Sequence, residues 1–276
     1  AKNDVATLEV NSVVNGGNEL VSKVTVQNKV GHRFPSGVGF RRAFIEFLVI
    51  EVPEVENTKT DTQGSSEKSE TERIVWSSGR TNELGVLIGA AGNPLESEFF
   101  SASAKDSSEQ ASQGHHEVID SPEQVQIYET LLHSDKHRYT TSFIHGSNVI
   151  KDNRLLPRGW KSEGPGPGLR GKFLKATHPG PVAKRDPRYA DGSGSDEVTY
   201  RITLPAGVDV HGLRVRATLY YQAIPPYFLQ SLFETAPDGP ATQRLHYICS
   251  NIDLKGTPIE GWKLPITSTT APVSGP

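Results

Sequence analysis

The chain has 276 residues, 35% of them hydrophobic, a formal net charge of -3, one cysteine and no methionine. That length suits one large all-β domain or two smaller ones. The charge leaves no basic footprint for nucleic acid, the lone Cys249 rules out an intrachain disulfide framework and a thiolate zinc site, and no apolar run approaches the roughly 20 residues of a membrane helix.

Strand patterns dominate. Residues 5–14 alternate apolar and polar and run into Asn15-Gly16-Gly17-Asn18, a hairpin signal, with residues 20–27 returning antiparallel. Residues 28–42 read N-K-V-G-H-R-F-P-S-G-V-G-F-R-R, a loop braced by Pro35 and freed at Gly31 and Gly37. Further strands are expected at 43–52, 73–78 and 125–132, at R-Y-T-T-S-F (138–143), and at 197–204, 212–222 and 245–249 (L-H-Y-I-C), where Cys249 reads as a small buried hydrophobe. Residues 226–234 form the best short helix, with Pro226 at its start. Segments 54–72, 101–114 and 161–195 read as loops, and 267–276 as a flexible tail. Many short strands between turn signals predict an all-β, antiparallel Ig-like β-sandwich with long loop insertions and few short helices. It is expected to be one domain over residues 1–266, with a lobe inserted around 84–160.

Nine histidines are sorted by their surroundings. His32 sits in the Pro- and Gly-braced loop, and His115 and His116 are adjacent; a constrained or doubled imidazole is how a chain presents a ligand to a metal or haem iron. Asp191-Gly-Ser-Gly-Ser-Asp196 offers Asp191 and Asp196 as oxygen ligands at a calcium-like spacing, without the complete calcium-loop pattern. In K-D-N-R-L-L-P-R-G-W (151–160), Asp152 and Arg154 read as a paired corner and Trp160 as a packing residue. No nucleophile elbow, Walker motif or dinucleotide fingerprint occurs, so a catalytic role has no sequence support.

Six blocks in order, N-x-x-G-H-R-F-P-S-G, R-R-A-F, S-P-E-Q-V-Q-I-Y-E-T, T-T-S-F, K-D-N-R-L-L-P-R-G-W and L-Y-Y-Q-A-I, resemble the haem-free, β-rich C-terminal domain of exported bacterial multihaem c-type cytochromes. The similarity runs from about residue 5 to residue 249. In that family the domain follows a region rich in Cys-x-x-Cys-His, a motif this chain lacks. The resemblance therefore implies no covalently attached haem here. It implies that His32, or His115 or His116, is an axial ligand to a haem c attached elsewhere, and that a multihaem c-type cytochrome chain or region is the partner in a homo- or hetero-oligomer. Together with the missing initiator methionine and signal peptide, it implies a periplasmic or extracellular location. An aromatic patch of Phe34, Phe40 and Phe44 near His32 is expected to meet that partner.

Two other readings compete. An exported sandwich can serve as an adhesion or carbohydrate-binding module, for which Trp76, Trp160 or Trp262 on an open face would speak. A hydrolase would need two carboxylates meeting in one cleft.

Overall fold

The computed structural model describes residues 4–15, 18–52, 72–100, 112–135, 139–164, 166 and 172–275. Most of the expected loops at 54–72 and 101–114, part of the loop at 161–195, the two central hairpin glycines and His137 lie outside these residues.

In chain order the strands are β1 (Ala6–Asn15), β2 (Glu19–Asn28), β3 (Arg42–Glu51), β4 (Arg73–Ser78), β5 (Val118–Ile119), β6 (Ile127–Tyr128), β7 (Thr130–His133), β8 (Asn148–Asp152), β9 (Ser195–Thr203), β10 (Leu213–Gln222) and β11 (Leu264–Pro272). Three helices, α1 (Lys172–Lys175), α2 (Pro226–Thr235) and α3 (Pro240–Asn251), complete the list together with short single turns. One sheet has the order β1-β2-β9-β5, antiparallel except for the short β5–β9 pair. The other has the order β11-β10-β3-β4, with β6 added beside β3, and β7 and β8 form a separate two-stranded ribbon.

Period-2 alternation sets which side chains meet between the sheets. Leu20, Val24 and Val26 of β2 and Val198, Tyr200 and Ile202 of β9 face Ile45, Phe47 and Val49 of β3 and Val215, Ala217 and Leu219 of β10 in one buried core. At its centre the Phe47 and Tyr200 rings stack at 4.0 Å, with Trp76 edge-on to both. Such pairs add about 0.5–1.5 kcal/mol beyond the area they bury.

Strand β3 is buried on both faces, which explains why it reads as a nearly continuous apolar run. Its second face carries Phe44, which packs with Leu87, Leu95, Val125 and Ile127, so segments from the 84–160 region cover the outside of the sandwich. Strands β1 and β11 meet at the opposite edge, where Val14 N–H donates to Ser274 O (3.0 Å) and Ser274 N–H to Ser12 O (3.1 Å).

Three expectations are corrected. The stretch read as a flexible tail forms β11 as far as Pro272, because β10 offers it a free edge with partners such as Thr218↔Ser268. L-H-Y-I-C is the middle of α3, started by Pro240 after Gly239, and Cys249 is half-buried there rather than in a core. Among the described residues of R-Y-T-T-S-F, strand pairing is confined to Thr140, in a single bridge to Leu132. Among the described residues no helix is long and apolar enough to cross a membrane.

Candidate functional site

The histidine loop leaves β2 at Asn28, whose buried side chain organises the turn beyond it. Its amide group donates to the carbonyls of His32 (2.8 Å), Leu156 (3.1 Å) and Leu155 (3.2 Å), while its side-chain oxygen accepts from Val30 N–H (2.9 Å). Phe34 then bridges Leu155 with two backbone hydrogen bonds, 3.0 and 2.8 Å. Arg33 Nη1 donates to Asp152, which also takes Nε and Nη2 of Arg154 at 2.9 and 2.8 Å. Asn153, next in line, ties β6 to the end of β8 through Ile127 O (2.8 Å) and Glu129 N–H (3.0 Å). Three of the six blocks therefore converge on one place, and Asp152 and Arg154 form the paired corner that their charges predicted. Trp160 packs against Leu156, Ala183 and Tyr189.

On this anchored backbone the His32 ring is exposed. Its Nδ1 lies 2.9 Å from the carbonyl of Arg33, and a carbonyl only accepts, so Nδ1 carries the proton. Nε2 keeps its lone pair, faces solvent and has no hydrogen-bond partner among the described residues. A ligating histidine is commonly held this way, one nitrogen donating to a carbonyl and the other presented to iron or zinc.

His115 and His116 are differently placed. His116 Nε2 contacts Gln113 Oε1 at 3.0 Å, and burial, reinforced by the charges of Lys151 and His115, pushes its pKa down to about 4. The folded-state value lies below the ordinary value of 6.5, so the unfolded chain takes up the proton first as pH falls. The resulting stability is full above about pH 6.5 and is lost towards about pH 4, by about 2 kcal/mol after discounting for partial exposure. Urea midpoints of the native chain and of His116→Gln, followed from pH 7 to pH 4, should therefore converge as pH drops; parallel curves would remove this account.

His115 is enclosed, its side chain only 2% exposed. Its Nε2 lies 3.2 Å from Asp186 Oδ2 and 4.0 Å from Asp196 Oδ1, and the three ligand-type atoms fall within 4.8 Å of one another, the spacing of a cation site. The surrounding hydrogen bonds decide otherwise. Gln126 Oε1 accepts from His116 N–H, so the atom 3.1 Å from His115 Nδ1 is the Gln126 NH2 group, a donor. Nδ1 must accept, which puts the ring proton on Nε2, directed at Asp186, and leaves no lone pair for a cation. Asp196 is fixed through Oδ2 by Gln126 (2.8 Å) and Tyr128 OH (2.8 Å), its Oδ1 is unpartnered, and burial raises its pKa. The arrangement is a buried hydrogen-bonded knot between β6, β9 and the Asp186 turn, and both carboxylates lie inside the protein rather than in a hydrolytic cleft.

The calcium-like spacing of Asp191 and Asp196 is not realised as a common site. Asp191 is exposed and accepts from Ser193 N–H (2.8 Å) and Oγ (2.5 Å), whereas Asp196 belongs to the knot. The glycines between them serve packing: at Gly192 (φ 85°) and Gly194 (φ 79°) a Cβ would stand 2.8 Å from Trp160 O and 2.7 Å from Arg158 N. The expected aromatic patch is also absent. Phe34 and Phe44 are buried and Phe40 stacks on Phe228 at 3.7 Å, so the exposed apolar side chains of this region are Val38, Phe143 and Ile144. Asn28 and Asp186 were not singled out from the sequence. Asn28 stands four residues before His32, where a loop-closing amide belongs, whereas nothing local marks Asp186 as the partner of a histidine 71 residues away.

No protein-family model matches the chain, and no curated protein does. A penta-haem cytochrome c552 from Thermochromatium tepidum is a remote structural neighbour, with 13% identity and a TM-score of 0.42 over 97% of this chain. The chain spans 39% of that protein's length.

Proposed function

We propose that this chain is a non-catalytic docking component of an exported multihaem cytochrome electron-transfer assembly, in which His32 supplies an axial imidazole to a haem held by the partner. The observation that carries the reading is the His32 ring, exposed on a backbone tied down by Asn28, with Nδ1 committed to a carbonyl and Nε2 free. The ordered resemblance to the haem-free domain of multihaem cytochromes supplies the partner. Of the three candidate histidines His32 fits best, because the ring nitrogens of His115 and Nε2 of His116 are engaged within the chain. A c-type haem with two histidine ligands is a low-spin one-electron carrier. In this chain the Arg33 carbonyl would orient the imidazole and raise its basicity.

The test is the absorption and EPR spectrum of the native assembly, with and without His32→Ala. The expected result is a low-spin haem spectrum in which the variant converts one haem to a high-spin form. The exposed substitution should cost the chain under about 0.5 kcal/mol of its own stability. An assembly without haem, or a spectrum indifferent to the substitution, would overturn the proposal.

A further inference from the structure

Away from the histidine loop, residues 81–84 and 249–263 enclose a cleft of about 520 Å³, within the range of small-ligand sites. Its walls are set before any ligand arrives. On one side the Asn82 side chain accepts from Leu84 N–H (3.0 Å) and Val86 N–H (3.1 Å), and Gln222 Nε2 holds Gly85 O at 2.8 Å. On the other, Asp253 accepts from Lys255 N–H (2.9 Å) and Glu260 from Gly256 N–H (3.0 Å). The two walls interlock at Gly85, where a Cβ would meet Gly261 O at 2.7 Å and Trp262 Cβ at 2.8 Å.

Trp262 lines this cleft in the left-handed region, with φ 55°, directly after Gly261 at φ 65°. A bulky side chain rarely adopts that conformation, and backbone strain of this kind gathers where a side chain has to be presented. Around it the Glu83 carboxylate, the Lys255 ammonium and the Trp262 indole N–H make no hydrogen bond among the described residues. Asp253 and Glu260 have each committed only one oxygen. Lys263, by contrast, is spent on Glu46 (3.2 Å) and the Tyr220 ring.

An aromatic face among unspent acceptors and donors is what a sugar ring requires. Its C–H face lies against the negative face of the indole, and its hydroxyls both donate to carboxylates and accept from an ammonium. Three carboxylates against one free ammonium make a cationic chain the competing occupant, for which tetralysine is the probe, and a purely apolar segment would strand the charged groups without water. We propose that this cleft is a saccharide-binding site for a neutral hexose or N-acetylhexosamine glycan, with Trp262 as its stacking platform and Glu83 and Lys255 as its polar contacts. The proposal is independent of the docking role, and neither test bears on the other.

The experiment uses the full chain on an array of neutral hexose and N-acetylhexosamine glycans, with each hit titrated by tryptophan fluorescence. At least one glycan should bind saturably, and Trp262→Ala should weaken it about tenfold or more. Because that substitution also touches Gly85, Glu83→Gln serves as the second variant: the Glu83 carboxylate makes no hydrogen bond among the described residues, and its loss should weaken binding about threefold or more at an unchanged thermal midpoint. No binding on the array, binding indifferent to both variants, or binding of tetralysine with no response to any glycan would each overturn the proposal.

Discussion

Replacing Glu98 by Gln should lower the free energy of unfolding by about 3–5 kcal/mol, the cost of leaving a buried cation without its counter-charge. Arg42 opens β3 directly after the histidine loop, with its side chain 1% exposed and that of Glu98 fully buried. The two meet fork to fork, Nη1 and Nη2 each 2.7 Å from a carboxylate oxygen, while Arg42 Nε donates to Gln222 (2.8 Å) and Glu98 also accepts from Leu87 N–H (2.9 Å). Burial on its own would push the Arg42 pKa down, but Glu98 more than reverses this and the net shift is upward. Urea unfolding with an unchanged slope would give the loss directly. The double variant Arg42→Met/Glu98→Leu should be less damaging than Glu98→Gln alone, since it removes both charges rather than orphaning one. A loss below about 1 kcal/mol for Glu98→Gln would mean that water reaches the pair.

Asn28→Ala should be comparably severe, about 3–5 kcal/mol, because one side chain satisfies four backbone groups and few of them have another partner at hand. Its effect also reaches the proposed function. Without the amide, His32 O loses its tie and the 155–156 segment loses its link to the end of β2, so the imidazole should no longer be held in one direction. In the assembly, Asn28→Ala should reproduce the high-spin signal of His32→Ala in part, and Asn28→Asp, which keeps the acceptor for Val30 N–H, should retain more stability than Ala. If Asn28→Ala lowered the thermal midpoint by less than a degree or two, the loop would be supported by something other than these bonds.

How much of this was legible in the chain depends on how local each signal is. Strands β1, β2, β9 and β10 could be read because each has one face in the core and alternates accordingly. Helix α2 could be read from Pro226 and a one-sided apolar pattern. Helix α3 could not, because L-H-Y-I-C is too short an apolar run to distinguish a strand from a helix that rests only lightly on α2. Strand β11 was missed for another reason: its Thr, Ser and Ala side chains carry little hydrophobic signal, and it is ordered by the open edge of β10. At the sites the same rule holds. His32 stood out because Gly31, Pro35 and Gly37 surround it in sequence, whereas the His115–Asp186–Asp196 knot joins residues whose separation hides any pattern. Sequence could name two of its three members, His115 and Asp196, but not that they belong together.

The seam between β1 and β11 has a consequence for how the molecule reaches its native state. Hydrogen bonds between residues 12–14 and 274 join positions about 260 residues apart, so their loop-closure entropy is large. Contacts of that separation form late, and a fold dominated by such pairings is slow. Until β11 has been synthesised, β10 lacks one neighbour and β1 lacks its seam, leaving two adjacent strand edges open to pairing with another molecule. A nascent chain is thus most prone to associate with its own copies just before β11 emerges, and β11 acts as the latch that ends that interval.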